Sequence, residues 1–168
     1  VNGDDIDDIL IGAPSAANST GETYVVFGKD KDKTFDAAID LADLDGSNGF
    51  VLNGIAAFDV SGMSVSSAGD VNGDGIDDIL IGAQYADPDG VETAGETYVV
   101  FGKDKDKAFN AAINLADLDG SDGFVLNGID EWDSSGFSVS SAGDINGDGI
   151  DDILIGAQYA DPGAANST

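Results

Sequence analysis

The 168-residue chain has no cysteine, no histidine and no arginine, and it holds only three prolines, one methionine and one tryptophan. Without cysteine there can be no disulfide framework, no thiolate zinc site and no thiol nucleophile. Without histidine the commonest general base and metal-binding imidazole are missing. No apolar run approaches the roughly 18 residues that a membrane helix needs. Positive charge is scarce as well. Six lysines face 33 acidic residues, for a net charge of −27. Such a field repels nucleic acid and anionic membranes, whose phosphates need Lys and Arg to displace counterions, and it attracts cations. A solvated acidic surface of the halophilic or marine kind fits many of these acids, but not their spacing. There is no initiator Met and no signal peptide. The chain opens at Val1 inside a motif, which reads as a processed piece or a fragment of something longer.

What is present is repetition. GETYVVFGKDKDK occurs at 21–33 and again, unchanged, at 95–107. The stretch 34–70 realigns with 108–144 at the same offset of 74, with 28 of 37 positions identical, and a third start at 145–168 matches 1–20. The loop after the DDILIGA segment changes length between copies, which marks it as surface. With 42 % hydrophobic residues a packed core is expected.

Within one period the pattern is β. Residues 62–69 alternate, 78–83 form a short continuous apolar run, and 22–28 are rich in β-branched and aromatic residues. Residues 50–55 are a fourth, shorter candidate, and the Ala-rich piece 35–44 reads as a helical turn. Gly, Asn, Asp and Ser punctuate the junctions. Four strands per period point to a propeller blade. The expected fold is all-β: tandem four-stranded antiparallel blades of a β-propeller, either partial or completed by other copies. The division is an incomplete first blade over 1–57 (strands 2–4), a complete second blade over 58–131, and the start of a third over 132–168 (strands 1–2).

The chemistry sits in one motif. Residues 70–78 read D-x-N-x-D-G-x-x-D, and 144–152 repeat it. Calcium takes six to eight oxygen ligands, and oxygens at loop positions one, three and five converge when the backbone curls around an ion. The candidate ligands are Asp70, Asn72, Asp74, the Ile76 carbonyl and Asp78, and in the second loop Asp144, Asn146, Asp148, the Ile150 carbonyl and Asp152. Gly75 and Gly149 suit the sharp turn. The isoleucine side chains at position seven are expected to turn into the core. Three carboxylates brought to one point would oppose folding without a cation. A polar Asx-rich turn that binds nothing is the alternative. Asp77 and Asp151, at position eight, are expected to point outward. An EF-hand would need Glu at position twelve, where Ile81 and Ile155 stand instead. A truncated first copy lacks the leading Asp and has Asp5 in place of the glycine; it retains Asn2, Asp4, the Ile6 carbonyl and Asp8.

The order strand, D-x-N-x-D-G-x-x-D, then an apolar strand ending Gly12-Ala13-Pro14, resembles the FG-GAP repeat of integrin α-subunit propellers and related bacterial secreted proteins. The SVSSAGDxNGDGIDDILIGA core carries the likeness. The resemblance implies a β-propeller with Ca²⁺ in the hairpin between strands 1 and 2 of a blade, held by the residues named above. Ser61-Gly62 and Ser135-Gly136 depart from the family's Phe-Gly, and Gln84 and Gln158 from the proline of Gly-Ala-Pro.

The function expected is a non-catalytic, calcium-binding structural or adhesive module at the cell surface or outside the cell. Its partners would be neighbouring blades or other copies joined head to tail, with an extracellular protein or glycan as a further partner. The other reading is the propeller portion of a secreted hydrolase or lyase acting on glycans or lipids. Three lesser features complete the inventory. The lysines cluster at 29–33 and 103–107, as solvated loops or as docking patches for an acidic neighbour. Asn18 and Asn166 open short matches to the N-glycosylation acceptor. Trp132 replaces Phe58 between repeats, for packing or for ligand stacking.

Overall fold

The computed structural model describes residues 1–161. Asn166 and its acceptor match lie outside them. The secondary structure is nearly all strand. Among the described residues ten strands run in order: β1 (Ile9–Ala13), β2 (Glu22–Val26), β3 (Gly49–Asn53), β4 (Ser64–Gly69), β5 (Asp78–Ala83), β6 (Glu96–Val100), β7 (Ala112–Asn114), β8 (Gly123–Asn127), β9 (Ser135–Gly143) and β10 (Asp152–Ala157). Of the four sequence-predicted strands, 78–83 appears without change and the other three appear with ends shifted by one or two residues. Of the Ala-rich piece, only Leu41–Asp43 turns, as a single 3₁₀ turn capped by the Asp40 carboxylate. The acids at 36, 40 and 43 leave no apolar face to hold a longer helix.

The strands form three sheets, in the orders β1-β2-β3-β7, β4-β5-β6-β8 and β9-β10. The second is the antiparallel four-stranded sheet expected of one repeat. The first differs from expectation in its fourth strand. Its outer member, β7, comes from the next repeat and lies parallel to β3, pairing Val51 with Ala112, Leu52 with Ile113 and Asn53 with Asn114. The reason is visible in the side chains. The strap before β7 carries Phe109, which stacks on Phe50 with ring centroids 4.4 Å apart and meets Phe27 at 5.7 Å.

The core lies between sheets. Phe50, Leu52, Ile79, Ile81, Tyr98 and Phe109 share one buried cluster, so the first sheet rests on the second. Leu80, Val99 and Val139 share another, with Ile153 packed against it, between the second sheet and the third. β5, buried along its whole length, is the strand covered on both faces. Two glycines let neighbouring sheets approach. A Cβ on Gly12 would stand 2.0 Å from the Gly62 carbonyl oxygen, and one on Gly82 would stand 2.0 Å from that of Gly136. The stacking thus repeats from sheet to sheet with a backbone-to-backbone contact at the same place in each period.

Candidate metal centre

The two complete loops occupy equivalent hairpins. Residues 70–78 join β4 to β5, and 144–152 join β9 to β10. A bulge between Ser67 and Gly69 ends the regular pairing and opens the first hairpin into its loop. Gly73 and Gly75 then take φ of +77° and +86°, and Gly147 and Gly149 take +80° and +88°. Side chains are costly in that backbone region, so the glycines of the motif are what lets the chain coil back on itself.

Each leading aspartate organises its loop. Asp70 Oδ1 accepts the N–H groups of Gly73 (2.8 Å) and Asp74 (3.0 Å), and its Oδ2 accepts that of Gly75 (2.8 Å). Asn72 Oδ1 accepts the Asp74 N–H, and Asp74 Oδ1 accepts that of Ile76, both at 2.9 Å. The second loop repeats the set. Asp144 accepts from Gly147, Asp148 and Gly149, Asn146 from Asp148, and Asp148 from Ile150, at 2.7–3.1 Å. These N–H donors, Gly149 first, hold the Asp144 carboxyl below its ordinary range. The side-chain oxygens at positions one, three and five thus hold the loop backbone in its coil. Among the described residues, however, no three acidic side chains come together as a ready metal cage. The carboxylates are turned to their own backbone.

The closing aspartate behaves differently in the two loops. Asp78 is fully buried, accepting the Gly102 N–H on Oδ1 (2.9 Å) and the Val71 N–H on Oδ2 (3.0 Å). Burial pushes its carboxyl up to about 6, against the pull of those two N–H groups, and the nearby Asp74 and Asp70 charges push the same way. Asp152 is only half-buried, accepting from Ile145 N–H (2.9 Å) and Asn146 Nδ2 (3.3 Å). In the truncated first copy Asp8 accepts the Gly28 N–H (2.9 Å), and its other oxygen faces the Val1 ammonium at 3.2 Å. Asn2 and Asp4 keep the Asx pattern, accepting from Asp4 N–H and Ile6 N–H. Gly28 and Gly102 each follow a third strand and its Phe. That contact was not anticipated from the motif, although the invariant spacing of the two Phe-Gly pairs after β2 and β6 could have signalled it.

Two expectations fail here. Asp151 does not point outward. Its Oδ2 accepts the Asp70 N–H, and its own N–H donates to the Asp70 carbonyl, both at 3.0 Å. It thereby ties the second loop to the base of the first, and a Cβ on Gly69 would collide with its carboxylate. Asp77 is exposed, as expected. The position-seven isoleucines also behave unequally. Ile76 packs against Gly102, whereas Ile150 is 38 % exposed and reaches across to Gly73 of the preceding loop. The cause is common to both findings: the loops of successive repeats touch, and a single-repeat reading cannot see that.

All the candidate ligand atoms in these loops are oxygens, which suits a hard divalent cation. The buried Asp78 charge, crowded by Asp70 and Asp74, is the observation that a cation would fit, because it would relieve both the desolvation and the repulsion.

Comparison with known proteins agrees with this arrangement. The FG-GAP repeat profile matches residues 61–100 and 135–168. Integrin alpha pat-2 of Caenorhabditis elegans is 31 % identical over 165 residues, covering 95 % of this chain and 12 % of that protein. Integrin alpha-5 of Xenopus laevis is 27 % identical over 171 residues, covering 94 % and 14 %. The phosphatidylinositol-glycan-specific phospholipase D of Bos taurus is 28 % identical over 167 residues, covering 97 % and 18 %. The chain therefore spans less than a fifth of the length of these relatives. With two hairpin loops of one design on successive sheets, and with these matches, the chain belongs to the FG-GAP repeat family.

Proposed function

We propose that this chain is a non-catalytic calcium-binding module of a β-propeller, with a structural or adhesive role outside the cell. The observation that carries this reading is the repeated Asx-ordered loop in equivalent hairpins, closed in one case by a buried, crowded carboxylate. Asp70, Asn72, Asp74, the Ile76 carbonyl and Asp78 would hold one ion, and Asp144, Asn146, Asp148, the Ile150 carbonyl and Asp152 a second. Asn2, Asp4, the Ile6 carbonyl and Asp8 form a weaker third set, with the Val1 ammonium already beside Asp8. Bound Ca²⁺ would supply positive charge beside the Asp78 carboxylate and the two acids that repel it. The protein's part is to order the loop beforehand through the Asp70 and Asp144 hydrogen bonds. The blades divide as 1–57, 58–131 and 132–168, with β7 reaching back from the second to the first. Integrin α relatives support the extracellular placement. Among the described residues no helix is long and apolar enough to cross a membrane.

The phospholipase D relatives favour a second reading, in which the same module accompanies an enzyme. Even then the chain itself has no histidine, cysteine or arginine with which to do the chemistry. Melting separates calcium binding from an inert acidic surface. At calcium about a hundredfold above Kd each filled loop adds about 2.7 kcal/mol, several degrees for a chain of this size. EDTA should remove that gain, and Asp74→Ala or Asp148→Ala should each remove part of it. A melting temperature indifferent to calcium at constant ionic strength would reject the reading.

A further inference from the structure

The two copies of the repeat are nearly interchangeable, and their exceptions gather at one spot. Only nine positions differ between 34–70 and 108–144, and four of them lie in the short loop before β9. There Ala56, Ala57, Phe58 and Val60 of the first copy become Asp130, Glu131, Trp132 and Ser134. A fifth change meets them in space: Ser15, after β1, corresponds to Tyr85, after β5. All five altered residues line one open cleft of about 690 Å³, and Tyr159 and Asp161 reach it from the loop after β10.

The backbone under the cleft is common to both copies. Ser134 N–H donates to the Thr93 carbonyl at 3.1 Å, as Val60 N–H does to that of Ser19 at 3.0 Å, and Trp132 and Phe58 hold φ of +71° and +76°. Trp132 N–H also donates to the Glu92 carbonyl (2.9 Å) and Tyr159 N–H to that of Asp133 (3.2 Å), so the three loops are tied to one another. What sets the second copy apart is therefore its side chains. Its rings stand in solvent: Tyr85 is 48 %, Trp132 54 % and Tyr159 63 % exposed. Tyr85 and Tyr159 are counterparts, and Tyr85 keeps its exposure in mid-chain, with the next repeat folded beside it. Among the described residues none of the three rings packs on another aromatic ring, so their faces are free. With Trp132 more than half exposed, the exchange of a benzyl group for an indole adds little to the core.

The charge at the cleft has one sign. Asp130, Glu131 and Asp161 are exposed, and Asp133 is partly buried with its Oδ2 accepting the Asp130 N–H at 3.4 Å. All six lysines lie elsewhere, in 29–33 and 103–107. A ring face carries negative potential, and carboxylates beside it strengthen the pull on a cation. We propose that this cleft binds an organic cation of the quaternary ammonium class, seated on Trp132, Tyr85 and Tyr159 and drawn in by Asp130 and Glu131. Methyl groups around a positive nitrogen suit exposed ring faces, and a cation without N–H groups leaves no donor unpaired against them. A small, strongly hydrated cation gains less from the rings. The acids repel anions, so the free cation fits better than a headgroup that also carries a phosphate. Asp78 opens β5 and Tyr85 follows its end, so the cleft and the acidic loop lie at opposite ends of one strand, and the cleft needs no ion in that loop.

Trp132 is the only tryptophan of the chain, so its emission reports on the cleft alone. Tetramethylammonium chloride is titrated into the native chain at constant ionic strength, once in EDTA and once in calcium. Both titrations should show a saturable change in emission, half-complete on the order of 1 mM, and ammonium chloride over the same range should show none. The methyl proton resonance of tetramethylammonium supplies a second readout and should broaden when the native chain is added. Tyr85→Ser, Trp132→Phe and the pair Asp130→Ala/Glu131→Ala each restore at an exposed site what the first copy carries, so their circular dichroism spectra should match the native one. By the resonance readout each should weaken binding about tenfold. No saturable change with tetramethylammonium, native-like binding by all the variants, or tighter binding of methylguanidinium or glucose than of tetramethylammonium would each overturn the assignment.

Discussion

Asp78 offers the sharpest quantitative prediction. It is a fully buried carboxylate with two backbone N–H donors, and burial together with Asp70 and Asp74 raises its carboxyl from 3.8 to about 6. In calcium-free buffer the folded chain therefore holds this proton more tightly than the unfolded chain does. Between about pH 4 and pH 6 the folded state binds more protons, so stability falls as pH rises through that window. The contribution is fully present below about 4 and gone above about 6. At 1.36 kcal/mol per unit, and with allowance for solvent screening, the step is on the order of 2 kcal/mol. Asp59, also pushed up by burial, acts in the same direction, as does the general repulsion of 33 acids. The difference between the native chain and Asp78→Asn isolates the Asp78 part. The assay is urea unfolding in EDTA at pH 4.5 and 7.5. The native chain should lose about 2 kcal/mol more than the variant across that interval. In saturating calcium the native slope should reverse, because acid then displaces the ion. Equal pH steps in both proteins, or native stability rising with pH in EDTA, would refute the reasoning.

Two further outcomes test the packing and the link between loops. Gly82→Ala should destabilise by about 3 kcal/mol or more, since its Cβ would stand 2.0 Å from the Gly136 carbonyl and two backbones would have to part; a denaturation midpoint within error of the native one would show the sheets are not so closely stacked. Asp151→Ala should cost about 1–2 kcal/mol by leaving the Asp70 N–H without its acceptor. It should also weaken calcium binding at 70–78 although Asp151 is in the other loop, and an unchanged calcium titration at that loop would deny the coupling.

Much of this was readable in the residues, and the parts that were not share a cause. Strand positions followed from alternation and apolar runs because those are properties of one strand and its two faces. The loops followed from Asx and Gly spacing because each loop is built from its own backbone. What escaped was every contact between repeats. Ala112–Asn114 has too little β character to announce a strand, and it is one only because β3 and the Phe27–Phe50 pair lie where it lands. Asp151 looked solvent-facing because its partner, the Asp70 N–H, belongs to the previous hairpin. The lysine cluster at 103–107 read as a solvated loop or a docking patch, and the packing role of Phe109 just after it depends on Phe27 and Phe50 of the previous repeat.

Equilibrium dialysis against radioactive calcium at pH 7.5 measures calcium occupancy directly. At least two ions should be retained per native chain, one fewer in Asp74→Ala, one fewer in Asp148→Ala, and both should be lost when the changes are combined. Retention of no calcium by the native chain, or retention that neither substitution lowers, would contradict the calcium-binding reading.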